Sequence, residues 1–194
     1  MFTVVKNAIP AQYQEHIASL MNKISWKWHG NTSYADTSSR YQEMQQYPNI
    51  VDNGQFTHPI LDDGTVFSSD IGLLIPVLYM FADKVGVHVN SILRIRINLT
   101  IQDKTFTQEN YNYPHTDMMP SRAFLYYIND SDGDTVLFKE TAVDNADALP
   151  KQFNIMERIT PEAGKGVFFD SCRFHASSNP VTCKARYVIN FNFI

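Results

Sequence analysis

The tripeptide His115-Thr116-Asp117 places an imidazole and a carboxylate two residues apart. On a strand or its extended continuation, positions i and i+2 project from the same face, roughly 7 Å apart along the chain. Two such side chains can share one metal ion. A third neutral nitrogen ligand from another strand completes a 2-His-1-carboxylate facial triad, which leaves coordination positions open and suits non-haem Fe(II). Of the six histidines, His16 falls in a helical pattern, His29 and His58 lie in a polar segment, and His88 precedes the first clear strand. None of these has a second ligand type at useful spacing. His175 differs, because it follows the apolar run at 166–170 and precedes the last strand. Eleven residues further on comes Arg186, on the polar face of that strand. A guanidinium fixed there can hold a dicarboxylate by a bidentate pair.

The elements that position these residues follow from periodicity. Over 10–24, Ile17, Leu20, Met21 and Ile24 recur at helical spacing, with Pro10 at the first turn. Ser69 and Asp70 cap a second helix that runs through Leu74, Leu78, Phe81 and Val85 to Gly86. The segment from Trp26 to Val66 is polar and aromatic-rich and takes no assignment. After residue 90 the period falls from 3.6 towards 2, with turn clusters such as 129–134 between short β-branched or aromatic runs. Leu93, Ile95, Ile97 and Leu99 alternate with Arg94, Arg96 and Asn98; Tyr187, Ile189, Phe191 and Phe193 alternate with Arg186, Val188, Asn190 and Asn192. Each strand therefore has an apolar face that needs a cover and a largely polar face that looks elsewhere. Two amphipathic helices supply the cover. A double-sheet jelly roll, with N-terminal helices packed on the outer face of one sheet and a polar cavity between the sheets, meets both demands; an open α+β sheet is the alternative.

With those residues in place, the chain resembles the Fe(II)/2-oxoglutarate-dependent dioxygenases, and within them the prolyl 4-hydroxylase-like branch. The likeness spans roughly residues 92 to 194 and rests on His115-Thr116-Asp117, the Tyr126-Tyr127 pair, the stretch 133–138, His175 and Arg186, in family order. It implies a double-stranded β-helix, another name for the jelly roll. It also implies that His115, Asp117 and His175 bind Fe(II), that Arg186 pairs with the distal carboxylate of the cosubstrate 2-oxoglutarate, and that Tyr127 hydrogen-bonds the same carboxylate. The implied reaction uses O2 to hydroxylate an unactivated C–H bond of a protein side chain or a small molecule, with succinate and CO2 as coproducts. Two features depart from the common pattern: Gly133-Asp134 stands where many relatives have two glycines, and arginine stands at 186 where many have lysine. A different class of function, a jelly roll that binds a metal or small acid without catalysis, uses the same residues.

Length and composition set the remaining bounds. At 194 residues, 44% hydrophobic, the chain makes one domain with an ample core. Residues 1–90 read as helical and loop support and 91–194 as the jelly roll with the metal site. A net charge of −4 with no basic run disfavours nucleic acid and anionic bilayers as partners. The resemblance adds that the second arginine soon after Arg186, associated with the nucleic-acid demethylating branch, is lacking, which disfavours an alkylated nucleic acid as substrate. The apolar stretch 72–82 is about half the ~20 residues of a membrane span and contains Pro76. No secretory signal is evident, so a cytoplasmic, reducing setting is expected. Cys172 and Cys183 read as small buried thiols, Asp132 and Asp134 as turn chemistry, and Arg94 and Arg96 as solvated strand charges, although facing a cavity would let them meet an anionic substrate.

Overall fold

A computed structural model of the protein describes residues 2–33, 43, 46–117, 120–142 and 149–194. The helical patterns become α1 (Ala11–Leu20) and α2 (Ile71–Val85). Helix α1 stops at Leu20 with Met21 as its C-cap, so Ile24 lies beyond it. Helix α2 ends where expected, because Gly86 takes the left-handed conformation (φ 68°) that side-chain-bearing residues avoid. Among the described residues no helix is long and apolar enough to cross a membrane.

The strands are β1 (Phe2–Val5), β2 (Lys27–His29), β3 (Gln55–Asp62), β4 (Thr65–Val66), β5 (Ile92–Ile101), β6 (Arg122–Tyr127), β7 (Thr135–Thr141), β8 (Ile155–Ile159), β9 (Gly166–Asp170), β10 (Arg173–Ser177) and β11 (Ala185–Phe193). They form two antiparallel sheets. The larger runs β1-β9-β6-β11-β5-β3-β2, with β4 paired to β3, and the smaller runs β10-β7-β8. Among the described residues the protein is thus mainly β, with α1 and α2 as its long helices, as the alternation predicts. The strands before residue 90 were not legible: the unassigned 26–66 segment contains β2, β3 and β4, while its residues 34–42, 44 and 45 lie outside the described part. Strand β3 carries Pro59 in mid-run, a residue that normally argues against an inner strand. The ladder with β5 shifts register between Pro59 and Leu61, and the missing N–H is accommodated at that irregularity.

Alternation puts different residues on the two faces of the large sheet. Ile95, Ile97, Phe124, Ile189, Phe191 and Phe193 join Ile17 and Leu20 of α1 and Leu74, Leu78 and Phe81 of α2 in one buried cluster. Phe81 stacks on Phe124 with ring centroids 3.6 Å apart. On the opposite face Leu125, Tyr127, Val167, Phe169 and Val188 pack with Leu137 and Ile159 of the small sheet. The polar members of β5 and β11 share that second face. They therefore point between the sheets.

The turn before β7 holds the start of β11. The Asp132 carboxylate accepts hydrogen bonds from the backbone N–H groups of Val181, Thr182 and Cys183 (3.2, 2.7 and 3.0 Å) and from the Thr182 hydroxyl (2.8 Å). Burial alone would raise the Asp132 pKa, but these donors outweigh it and hold the carboxyl well below the usual carboxylate range. Next to it Gly133 has no room for a side chain, since a Cβ would lie 2.6 Å from the Ser178 carbonyl oxygen. This turn therefore keeps its first glycine even though Asp134 replaces the second. Cys172 and Cys183 are free and half-buried rather than fully buried. Asp132→Ala is expected to cost about 2 kcal/mol in urea unfolding at pH 7. Because the folded pKa is depressed, the difference should shrink as pH falls through the carboxylate range; a cost that stays constant down to pH 3 contradicts this account.

Candidate functional site

His115 does not sit in a regular strand. It forms an isolated antiparallel bridge with His175, the two residues exchanging backbone hydrogen bonds of 2.9 Å in each direction. Two residues on, the Asp117 N–H donates to the Ser171 carbonyl at 3.0 Å. The segment thus runs as an extended continuation beside β10, and both side chains face the same way. Candidate ligand atoms of His115, Asp117 and His175 lie within 4.8 Å of one another, the one such group among the described residues. His175 Nε2 is 3.8 Å from Asp117 Oδ2.

Backbone acceptors orient both imidazoles. His115 Nδ1 lies 3.0 Å from the Tyr113 carbonyl and 2.7 Å from the Ser33 hydroxyl, and His175 Nδ1 lies 3.1 Å from the Arg173 carbonyl. With each Nδ1 acting as donor, each Nε2 carries its lone pair into the site. Burial, reinforced by His175, lowers the His115 pKa to about 4, against the opposing pull of Asp117. Burial would raise that of Asp117, but His175, Arg94 and His115 together with an Asn192 hydrogen bond hold it well below the carboxylate range. At neutral pH the site therefore has a neutral imidazole at 115 and an ionised carboxylate at 117.

Arg94 is no solvated charge. One of its terminal nitrogens donates to Asp117 Oδ1 at 2.6 Å, and its Nε donates to Asn192 Oδ1 at 2.9 Å. Asn190 and Asn192 donate their amide N–H groups to Asp117 Oδ2 at 3.2 and 3.0 Å. The sequence reading of Arg94 as a solvated charge is thus corrected, and Asn190 and Asn192 carried no assigned role, although each stands on the polar face of β5 or β11 where alternation put it.

The site opens on a cavity of about 180 Å³ whose walls include Arg94, Arg96, Asn98, Asp117, His175 and Arg186. Arg186 is buried and stands on the large sheet, across from the histidines. One of its terminal nitrogens donates to Thr135 Oγ1 at 2.7 Å, and its Nε is buried with no partner among the described residues. Burial lowers its pKa, opposed by Tyr127 and Asp134. Tyr127 is fully buried and is not part of the cavity wall. Its hydroxyl donates to the same Thr135 oxygen at 2.7 Å, and its ring centroid lies 5.7 Å from the Arg186 guanidinium carbon. With two hydrogen bonds accepted, the Thr135 oxygen has its own O–H left to donate, and Thr135 does line the cavity. Thr135 belongs to the stretch 133–138 that carries part of the family resemblance, which is the one sequence signal for it.

No family model matches the chain. No curated protein matches it in sequence. Solved structures do resemble it. An oxidoreductase of the 2OG-Fe(II) oxygenase family from Burkholderia pseudomallei is 12% identical with a TM-score of 0.65, covering 99% of this chain and 84% of that one. A prolyl-4-hydroxylase from Pseudomonas putida is 14% identical with a TM-score of 0.54, over 99% and 91% of the two chains. HygX from Streptomyces hygroscopicus, solved with nickel and 2-oxoglutarate bound, is 12% identical with a TM-score of 0.61, over 99% and 82%. At these identities the likeness establishes the fold alone, consistent with the two-sheet jelly roll.

The His115 environment yields a test on chelator-treated protein. Between about pH 6.5 and 4 the unfolded chain binds a proton at His115 that the folded protein does not. Stability should fall as pH falls through that window, by up to about 3 kcal/mol more in the wild type than in His115→Gln. Parallel urea-unfolding curves across the window in the two proteins contradict the assignment.

Proposed function

We propose that the protein is an Fe(II)- and 2-oxoglutarate-dependent oxygenase that hydroxylates an unactivated C–H bond of a small molecule or a protein side chain. The observation that carries the reading is the grouping of His115, Asp117 and His175 across one cavity from the buried guanidinium of Arg186. Two imidazole nitrogen donors and one carboxylate fit a non-haem Fe(II) centre. A buried cation whose Nε lacks a partner fits an anionic group of the cosubstrate.

Fe(II) and 2-oxoglutarate together supply the oxidising chemistry, in which R–H, 2-oxoglutarate and O2 give R–OH, succinate and CO2. The chain's own residues bind and orient. His115 and His175 offer Nε2 because the Tyr113 and Arg173 carbonyls engage Nδ1. Arg94, Asn190 and Asn192 hold the Asp117 carboxylate ionised and fixed in direction. Arg186 and the Thr135 hydroxyl take the distal carboxylate of 2-oxoglutarate. Tyr127, which the resemblance placed on that carboxylate, acts through Thr135 as a positioning residue. Leu125, Ala176 and Val188 give the cavity apolar wall that limits water. The reading takes 1–194 as one domain, with α1 and α2 backing the outer face of the large sheet, and places the protein in the cytoplasm.

Anaerobic titration with Fe(II) and 2-oxoglutarate, followed by O2 and a succinate assay, tests the reading. Visible charge-transfer absorption of the chelated keto acid and then succinate are expected; binding without succinate in the presence of substrate identifies a non-catalytic binding module instead. Single substitutions His115→Ala, Asp117→Ala and His175→Ala are each expected to abolish succinate formation without rescue by added Fe(II). Near-normal turnover in any two of them rules out the triad. Arg186→Gln should weaken anaerobic 2-oxoglutarate binding roughly 10- to 100-fold, the loss of a charge-assisted pair worth about 1.5–3 kcal/mol, with Fe(II) affinity little changed. Unaltered 2-oxoglutarate affinity in that variant removes Arg186 from the role.

A further inference from the structure

The proposed reaction leaves one stretch of the cavity wall without work. Arg96 and Asn98 follow Arg94 along the same face of β5, and Arg96 stands in register with Asn190 on β11 and Pro59 on β3. All three β5 side chains and Asn190 line the cavity. The two arginines are engaged very differently. Arg94 is committed to Asp117 at 2.6 Å. Arg96 has a single ionic partner among the described residues, Asp62, at 3.7 Å, and that carboxylate is 42% exposed. A contact of that length is no hydrogen bond, and at such exposure it is weak. The Arg96 side chain is two-thirds shielded from water, and among the described residues its fork of donors makes no hydrogen bond.

Beside it stand two acceptors in the opposite condition. The Asn190 amide nitrogen is spent on Asp117, which fixes the amide orientation, and its Oδ1 is buried with no partner among the described residues. Asn98 Oδ1 is likewise buried and unpartnered. The two asparagines are diagonal neighbours across the β5–β11 ladder. Buried amide oxygens are costly unless a donor meets them. The wall thus carries an unspent cation next to unspent carbonyl acceptors. Lys27, in register with Thr57 of β3, adds a positive charge on the same face of the sheet outside the cavity lining. His29, in register with Gln55, is held below its ordinary pKa by burial first and then by Lys27 and Arg96, and so adds no charge at neutral pH.

We infer that the substrate is a free α-amino acid or close analogue, its carboxylate taken by the Arg96 guanidinium and its N–H donors by Asn98 Oδ1 and Asn190 Oδ1. The inference rests on the oxygenase reading, which assigns Arg94 and Arg186 to other partners and leaves Arg96 for the substrate. A residue inside a protein chain lacks the carboxylate and fits this wall poorly. A peptide C-terminus carries the same carboxylate but brings a chain on its nitrogen, and the experiment separates the two sources.

Protein loaded with Zn(II) and 2-oxoglutarate is screened by saturation-transfer NMR against the protein amino acids, their C-terminal amides and tripeptides ending in the same residues. At least one free amino acid should receive saturation, with no transfer to its amide and less to the tripeptide. For that amino acid, Arg96→Gln should weaken binding at least ~10-fold, and Arg96→Lys less, since it keeps the charge without the fork. Anaerobic 2-oxoglutarate binding to the Fe(II) protein is measured alongside. A wild type that does not bind 2-oxoglutarate contradicts the oxygenase reading itself. A wild type that binds it yet takes no free amino acid, takes amides or tripeptides as well or better, or keeps its amino acid affinity after Arg96→Gln overturns this inference alone. If Arg96→Gln also loses 2-oxoglutarate, Asn98→Ala decides, because unchanged amino acid affinity there overturns the inference as well.

Discussion

The Asp117 carboxylate is the point on which the site depends. It belongs to an extended segment aligned with the small sheet, yet its oxygens accept hydrogen bonds from Arg94 on β5 and from Asn190 and Asn192 on β11, both in the large sheet. One side chain thus ties the two sheets together across the cavity they enclose. An ion pair this buried has a large desolvation cost, and its net contribution to stability is small. Its consequence is positional. With Oδ1 engaged by Arg94 and Oδ2 by the two asparagines, the carboxylate has little rotational freedom left, and its negative charge faces the two imidazoles.

That arrangement follows from alternation on two adjacent strands. β5 and β11 run antiparallel with Asn190 opposite Arg96 and Asn192 opposite Arg94. Their apolar residues go to the cluster with α1 and α2, so the polar residues have nowhere to go but between the sheets. The same geometry separates the charges by task. Arg94 offsets Asp117, Arg186 lies further along β11 against Thr135, and Arg96 sits between them with a partner only at the rim.

Much of this was legible in the sequence. The i, i+2 spacing of His115 and Asp117, the place of His175 between two apolar runs, and the position of Arg186 on the polar face of the last strand all concern local geometry, which periodicity determines. Both helices were read from apolar spacing, and Gly86 marked the end of the second. What was missed shares one cause: a polar strand face looks the same in sequence whether water or a cavity lies beyond it. Arg94 and Arg96 therefore read as solvated, and Asn190 and Asn192 carried no message until the carboxylate they bind came into view. Thr135 was silent for a related reason, since a threonine in a strand is ordinary until Arg186 and Tyr127 both donate to it. Strand β3 was hidden by Pro59, and Ser33, which reaches His115, comes from a segment with no periodicity at all.

A crystal structure of the protein with Mn(II) and 2-oxoglutarate bound tests the central claim most directly. The account predicts the metal on His115 Nε2, His175 Nε2 and the Asp117 carboxylate, with Arg94 still on Asp117 and the distal carboxylate of 2-oxoglutarate against Arg186 and Thr135. Metal bound elsewhere, or a dicarboxylate held by Arg96 with Arg186 left unpaired, contradicts it.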